Sequence, residues 1–263
     1  MFLHTFGVLA AASIDNGRLF WGEVVGTGVL ILLGDGVVAG VLLNKSKAQN
    51  SGWIVITFAW AMGVLFGVWT SIAVGGQGDL NPAVTIAKWA ASRALFAPGS
   101  GAGFTQVLVL ISGEFVGAFA GAILVYLAYL PHWSETEDPG LKLAVFCTAP
   151  AIRKLGQNLV TEIIGTMLLM LGVFAIFVSP FSGATLEFQV LTVGLLVFAI
   201  GMSLGGPTGY AINPARDLGP RIIHFLLPIP GKGSSDWGYA WVPVVGPIIG
   251  GILGAWIGRA AFK

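Results

Sequence analysis

Charge is what this sequence has least of: only 10% of its 263 residues are Asp, Glu, Lys or Arg, against roughly a quarter in an ordinary soluble domain. Thirteen basic residues face twelve acidic ones, leaving a net charge of +1. The basic residues are scattered, which excludes the positive field that nucleic-acid binding requires. One cysteine, Cys147, excludes an internal disulfide and is read as an incidental free thiol in a loop. The three histidines, His4, His132 and His224, show no metal-ligand spacing and assemble no nucleophile–base pair, so neither a metal site nor an enzyme is expected. A Walker-type phosphate loop is missing, no cofactor is called for, and no series of ten-residue alternating strands points to a transmembrane barrel.

Long apolar runs are what the chain has instead. It is 56% hydrophobic, and six runs qualify as membrane-spanning helices, at about 19–43, 53–74, 104–130, 159–180, 188–205 and 239–261. Residues 2–13 carry no Lys or Arg ahead of them and run into the first span, so they are expected to be a retained segment rather than a cleaved signal. Lys45, Lys47, Lys142, Arg153 and Lys154 fall on the face opposite Arg18, Lys88, Arg93 and Arg259. Charge asymmetry therefore leaves the orientation open.

Three landmarks recur in order. Glu23-Val-Val-Gly26-Thr27 returns as Glu162-Ile-Ile-Gly165-Thr166, and Gly113, Gly117 and Gly121 return as Gly246, Gly250 and Gly254. Asn81-Pro82-Ala83 returns as Asn213-Pro214-Ala215, 132 residues later. The chain is thus a duplication, with a first repeat at about 18–130, a second at about 157–262 and a connecting loop at 131–156, all in one transmembrane domain. Each repeat crosses the membrane three times, so the second must enter from the opposite side.

Asn is a helix N-cap and Pro is tolerated at the first helical position, so each Asn-Pro-Ala triplet opens a helix. About twelve to fourteen residues follow before Pro98 or Pro228, roughly 20 Å at 1.5 Å per residue and too short for a core about 30 Å thick. The glycine-rich approaches Gly75-Gly76-Gln77-Gly78 and Gly205-Gly206-Pro207-Thr208-Gly209 mark both as re-entrant loops. Such backbone is tolerated at membrane depth only where it is protein-buried or lines a wet cavity. The expected fold is an all-α membrane protein with six spanning helices and two re-entrant half-helices in an inverted repeat. Two positive half-helix ends meeting at mid-membrane repel cations there.

The duplicated helices, the paired triplets and the extended run Asn213-Pro-Ala-Arg-Asp-Leu-Gly-Pro-Arg221 resemble the aquaporin superfamily in its glycerol-facilitator branch. The likeness covers about residues 18–262. It implies that Asn81 and Asn213 donate to a passing oxygen at the pore centre, with carbonyls of Gln77, Gly78 and Asp79 in one loop and Gly209, Tyr210 and Ala211 in the other lining the path. It also implies a selectivity filter of Trp60, Gly201, Tyr210 and Arg216, a homotetramer in the plasma membrane, and cytoplasmic termini. In water-selective members a His stands where Gly201 is, so its absence widens the filter. Tyr210 replaces the Phe usual in this branch, and its hydroxyl is expected to add a polar group to the slot. Asp217, Arg221 and Pro243 match the facilitator branch as subfamily markers.

The resemblance implies a passive channel for glycerol, dihydroxyacetone and similar uncharged solutes, with water and urea as further candidates. A channel for protonated lactic acid, and an ion-coupled transporter using Glu23, Glu162 and Asp35, are the rivals. Trp60 also fits an interfacial aromatic belt, and Arg216 a structural role. Glu23 and Glu162 are expected to hold the two loops, with a proton relay as the other reading. Asp79, where the family usually has His, either caps its loop or tempers the positive centre. Asp35 and Glu114 have no repeat partner, the aligned residues being Val173 or Phe174 and Pro247, and face either an oligomer contact or a vestibule.

Overall fold

A computed structural model describes residues 15–91, 103–178 and 183–262. Among them are ten helices: α1 (Asn16–Leu42), α2 (Trp53–Val74), α3 (Pro82–Ala91), α4 (Phe104–Ala128), α5 (His132–Glu135), α6 (Pro139–Phe146), α7 (Leu155–Val178), α8 (Leu186–Leu204), α9 (Pro214–Leu226) and α10 (Val242–Ala261). Six of these, α1, α2, α4, α7, α8 and α10, are long and apolar enough to cross a membrane. Their bounds fall within four residues of the six sequence-predicted runs, apart from residues 179 and 180. Those two, together with residues 2–13, His4, Arg93 and Pro98, lie outside the described residues.

Local chemistry sets the helix starts. Asp15 caps α1 by accepting from the amides of Gly17 and Arg18 at 2.9 and 3.2 Å, and Thr185 caps α8 through the amide of Phe188. The connector at 131–156, expected as a loop, holds α5 and α6. Asp138 followed by Pro139 caps α6, and the fully buried Trp133 of α5 stacks between Tyr126 and Phe146. These aromatic contacts hold two short helices that neither length nor periodicity would sustain alone.

The two glycine triplets set how the spanning helices pair. A Cβ at Gly113, Gly117 or Gly121 of α4 would stand 2.4–2.7 Å from a backbone carbonyl oxygen of α1. One at Gly250 or Gly254 of α10 would stand 2.2–2.3 Å from a carbonyl oxygen of α7. In each repeat, then, the last spanning helix lies backbone to backbone against the first, as small residues permit in a membrane. The half-helices cross over: α3 packs on α10 and α9 on α4, while α2 meets α8. Each half-helix is thereby gripped by the opposite repeat, and both starts are carried to the centre of the bundle. Apolar side chains such as Trp21, Phe58, Leu195 and Trp256 point outward, where lipid replaces water as the solvent.

Candidate functional site

The two loops that deliver the half-helices repeat their backbone geometry. Gly78 and Leu80 have φ of 69° and 54°, and their counterparts Tyr210 and Ile212 have 39° and 42°. Left-handed conformations at non-glycine residues cost on the order of 1–3 kcal/mol each and persist only where neighbours hold them. Two buried glutamates do the holding. Glu23 accepts from the amides of Gln77, Gly78, Asp79 and Leu80 at 2.8–3.2 Å and from the Ser71 hydroxyl. Glu162 accepts from the amides of Ala211 and Ile212 at 3.1 and 2.8 Å and from the Thr208 hydroxyl at 2.7 Å. With the amides tied to carboxylates, the carbonyls of alternate residues are left to turn elsewhere.

Both triplets sit at the crossing. The Asn81 side-chain oxygen accepts from the Ala83 amide, and that of Asn213 from the amides of Ala215 and Arg216. Their amide groups reach across: Asn81 Nδ2 donates to Ile212 O at 2.8 Å, and Asn213 Nδ2 to Leu80 O at 2.7 Å. Each Nδ2 carries two hydrogens, so one remains for a passing oxygen. Pro82, Ala83, Pro214 and Ala215 are buried behind them in the first helical turns.

A cavity of about 250 Å³ runs past this crossing. Its lining combines apolar side chains, including Val64, Val68, Val173, Phe174 and Val197, with the loop and half-helix residues Gln77, Gly78, Asp79, Asn81, Tyr210, Ala211, Asn213 and Arg216. Trp60 and Lys88 line it as well. The Arg216 guanidinium carbon stands 3.9 Å from the Trp60 ring centroid, within cation–π range.

Gly209 packs against Thr148, a Cβ there standing 3.2 Å from Thr148 Cγ2. Gly201 makes room for the Tyr210 ring: a Cβ at Gly201 would stand 2.7 Å from Tyr210 Cζ. The Tyr210 ring has sunk onto α8, and its hydroxyl is buried without a hydrogen-bond partner among the described residues. The ring, rather than the hydroxyl, is what Tyr210 presents to the slot.

Three residues that position the constriction carry no motif. Trp53 donates from Nε1 to Gly201 O at 3.1 Å and sets its ring edge-on to Tyr210 at 5.8 Å. Gly205 makes further room for Tyr210, and Gly34 for Trp60, whose ring carbons lie 2.3–2.4 Å from where a Cβ would be. Gly205 belongs to the glycine-rich approach, but Gly34, one glycine among 39, and Trp53, one tryptophan among nine, give no sequence signal of such a role.

The remaining acidic residues lie inside the bundle. Asp79 bonds side chains of α3, accepting from Thr85 at 2.8 Å and pairing with Lys88 at 2.5 Å, and among the described residues no backbone amide donates to its carboxylate. Thr85 also lies 2.8 Å from Glu114 Oε1. Asp35 is fully buried, with Oδ1 3.9 Å from Arg216 Nη1. Asp217 and Arg221 form a fully buried pair in α9. Asp217 accepts from the Thr148 amide and hydroxyl, and Arg221 donates to the carbonyls of Thr148, Ser235 and Asp236. That pair pins the connector and the 235–236 turn to α9. Pro243 lies in the first turn of α10, buried and off the cavity. Cys147, at the end of α6 outside the spans, is buried, and burial pushes its thiol well above the usual range.

Opposed half-helices around a passage lined by both apolar and polar groups define an integral membrane channel for small solutes. The chain belongs to the major intrinsic protein family, whose pattern matches residues 10–258. It is 56% identical over 237 residues to the probable glycerol uptake facilitator protein of Thermotoga maritima, covering 90% of this chain and 96% of that one. It is 52% identical over 244 residues to the glycerol uptake facilitator protein of Bacillus subtilis, covering 93% and 85%. The X-ray structure of the aquaglyceroporin from Plasmodium falciparum superimposes with a TM-score of 0.80 at 26% identity, covering 94% of this chain and 97% of that one.

Proposed function

We propose that this channel passes glycerol, dihydroxyacetone and related uncharged three-carbon solutes, with water, in single file and without an energy source. The observation that carries the reading is the slot itself: a guanidinium on the face of Trp60, lining with the Tyr210 ring a cavity that mixes apolar side chains with polar groups. A polyol is amphipathic in the same way. Its carbon chain lies against the aromatic and valine wall while its hydroxyls exchange hydrogen bonds with Arg216, the loop carbonyls and the free amide hydrogens of Asn81 and Asn213. The glycerol uptake facilitators among its relatives support the same solute class.

Cations, protons among them, are excluded because the positive ends of α3 and α9 converge on the path, each worth about half a charge. In this reading Glu23 and Glu162 are scaffold, and the whole chain is one channel domain of two repeats. It assembles as a homotetramer with a pore in each subunit, and both termini are cytoplasmic.

Stopped-flow light scattering of proteoliposomes tests it with water, glycerol, dihydroxyacetone, urea and lactic acid at two pH values. Glycerol flux at least about tenfold above protein-free vesicles and indifferent to pH is expected. Lactic acid uptake that tracks the neutral fraction, with glycerol at the protein-free rate, would move the assignment to organic acids. Accumulation against a gradient, driven by protons or sodium, would sink the passive reading.

A further inference from the structure

Two charged residues break the symmetry of the repeat, and they meet. The position matching Arg216 in the first repeat, at the triplet offset of 132, is Val84, and the position matching Asp35 in the second is Val173 or Phe174. Each charge thus has an apolar counterpart in the other half. In the folded chain Asp35 Oδ1 lies 3.9 Å from Arg216 Nη1, with side-chain exposures of 0% and 9%. Neither carboxylate oxygen has a hydrogen-bond partner among the described residues. The remaining nearby carboxylate, Asp217, is already bonded to Arg221 and Thr148.

Gly34 stands next to Asp35 and leaves the space that the Trp60 ring fills. Adjacent residues of α1 therefore serve both halves of the constriction: Gly34 admits the indole, and Asp35 faces the guanidinium that lies on it. Asp35 itself has no exposed surface and does not line the cavity. Whatever it does to a solute, it does through Arg216.

We propose that Asp35 is a positioning and specificity-determining residue, the buried counter-ion that cancels the Arg216 charge at the constriction so that the slot keeps guanidinium donors without becoming an anion trap. The proposal rests on the polyol-channel reading. An arginine cannot shed its proton inside a protein, so a filter that donates from a guanidinium carries a full charge unless a carboxylate offsets it. At an effective dielectric of about 20, one uncompensated charge several ångströms from the path attracts a monovalent anion by a factor on the order of ten to a hundred.

The test is nitrate permeability beside glycerol flux in proteoliposomes of wild type, Asp35→Asn, Asp35→Glu, Arg216→Ala and the Asp35→Asn/Arg216→Ala double variant. Asp35→Asn is expected to raise nitrate permeability about tenfold or more, and Asp35→Glu to stay within about twofold of wild type. In the Arg216→Ala background, adding Asp35→Asn is expected to raise nitrate permeability less than about twofold, since no guanidinium remains to be unmasked. An unchanged nitrate permeability in Asp35→Asn with glycerol flux intact overturns the proposal, as does an equal rise in the Arg216→Ala background. If Asp35→Asn fails to assemble, the double variant decides: recovered assembly supports the charge pair, and continued failure overturns it. A wild type without glycerol flux would instead refute the solute assignment and leave the nitrate comparison to judge the pair.

Discussion

A methyl group at Gly201 should close the slot to glycerol while leaving it open to water. The Tyr210 ring lies so close to α8 that a Cβ at Gly201 would stand 2.7 Å from Cζ and 2.9 Å from Cε2. Carbon atoms rest at about 3.5–4.0 Å, so Gly201→Ala requires the ring to move by roughly 1 Å. Trp53 stands edge-on to it and the ring already sits close over the Gly205 backbone, which leaves the slot as the open direction. Overpacking of this kind costs about 1–3 kcal/mol. If the narrowed slot passes that cost on to the solute that fills it, glycerol flux per channel falls about fivefold to a hundredfold. Water is smaller and should fall less than about threefold. Stopped-flow scattering under a glycerol gradient and under an impermeant osmolyte gives the two rates on one vesicle preparation. Glycerol and water falling in parallel would mean lost channels rather than a narrowed slot, and an unchanged glycerol rate would refute the placement of the ring.

Glu162→Gln replaces one acceptor oxygen of a carboxylate that serves three donors in the second loop, and a buried donor left unpaired costs about 1–3 kcal/mol; a lower melting temperature in detergent and more than about tenfold less glycerol flux are expected. Gly250→Ala inserts a methyl 2.2 Å from Ile163 O and forces α10 off α7, so melting should fall by an overpacking cost of about 1–3 kcal/mol. Lys232 donates to the carbonyls of His224, Phe225 and Leu227 at the end of α9; Lys232→Met removes a charge-assisted cap, and hydrogen exchange in the last turn of α9 should quicken. Burial raises the Cys147 thiol, and the thiolate is the reactive form. Maleimide labelling at pH 8 should therefore be about a hundredfold slower in the folded channel than after denaturation.

What was legible in the sequence is what occurs twice. The Asn-Pro-Ala triplets, the Glu23 and Glu162 segments and the glycine triplets could be read because each copy vouches for the other. Helix length then made α3 and α9 re-entrant. The rest depends on contacts between residues far apart in the chain. That Gly34 seats Trp60, or that Trp53 backs Tyr210, follows from how α1, α2 and α8 are pressed together, and no local pattern encodes it. Spacing alone carried Gly201 to its position, but that the Tyr210 ring fills the space it leaves follows from how the loop before α9 lies on α8. Asp35 and Glu114 escaped for the opposite reason, since a charge without a repeat partner has nothing in the sequence to pair with.

The reciprocal bonds from Asn81 to Ile212 O and from Asn213 to Leu80 O mean that neither repeat can finish its own loop. A half-chain expressed alone would leave a carbonyl and an amide without their partners at mid-membrane, and its half-helix would lack the helix it lies on in the other half. Two such halves made as separate chains would supply each other's missing partner. The peptide link between the repeats is a tether, and the obligation to associate is written at the pore centre.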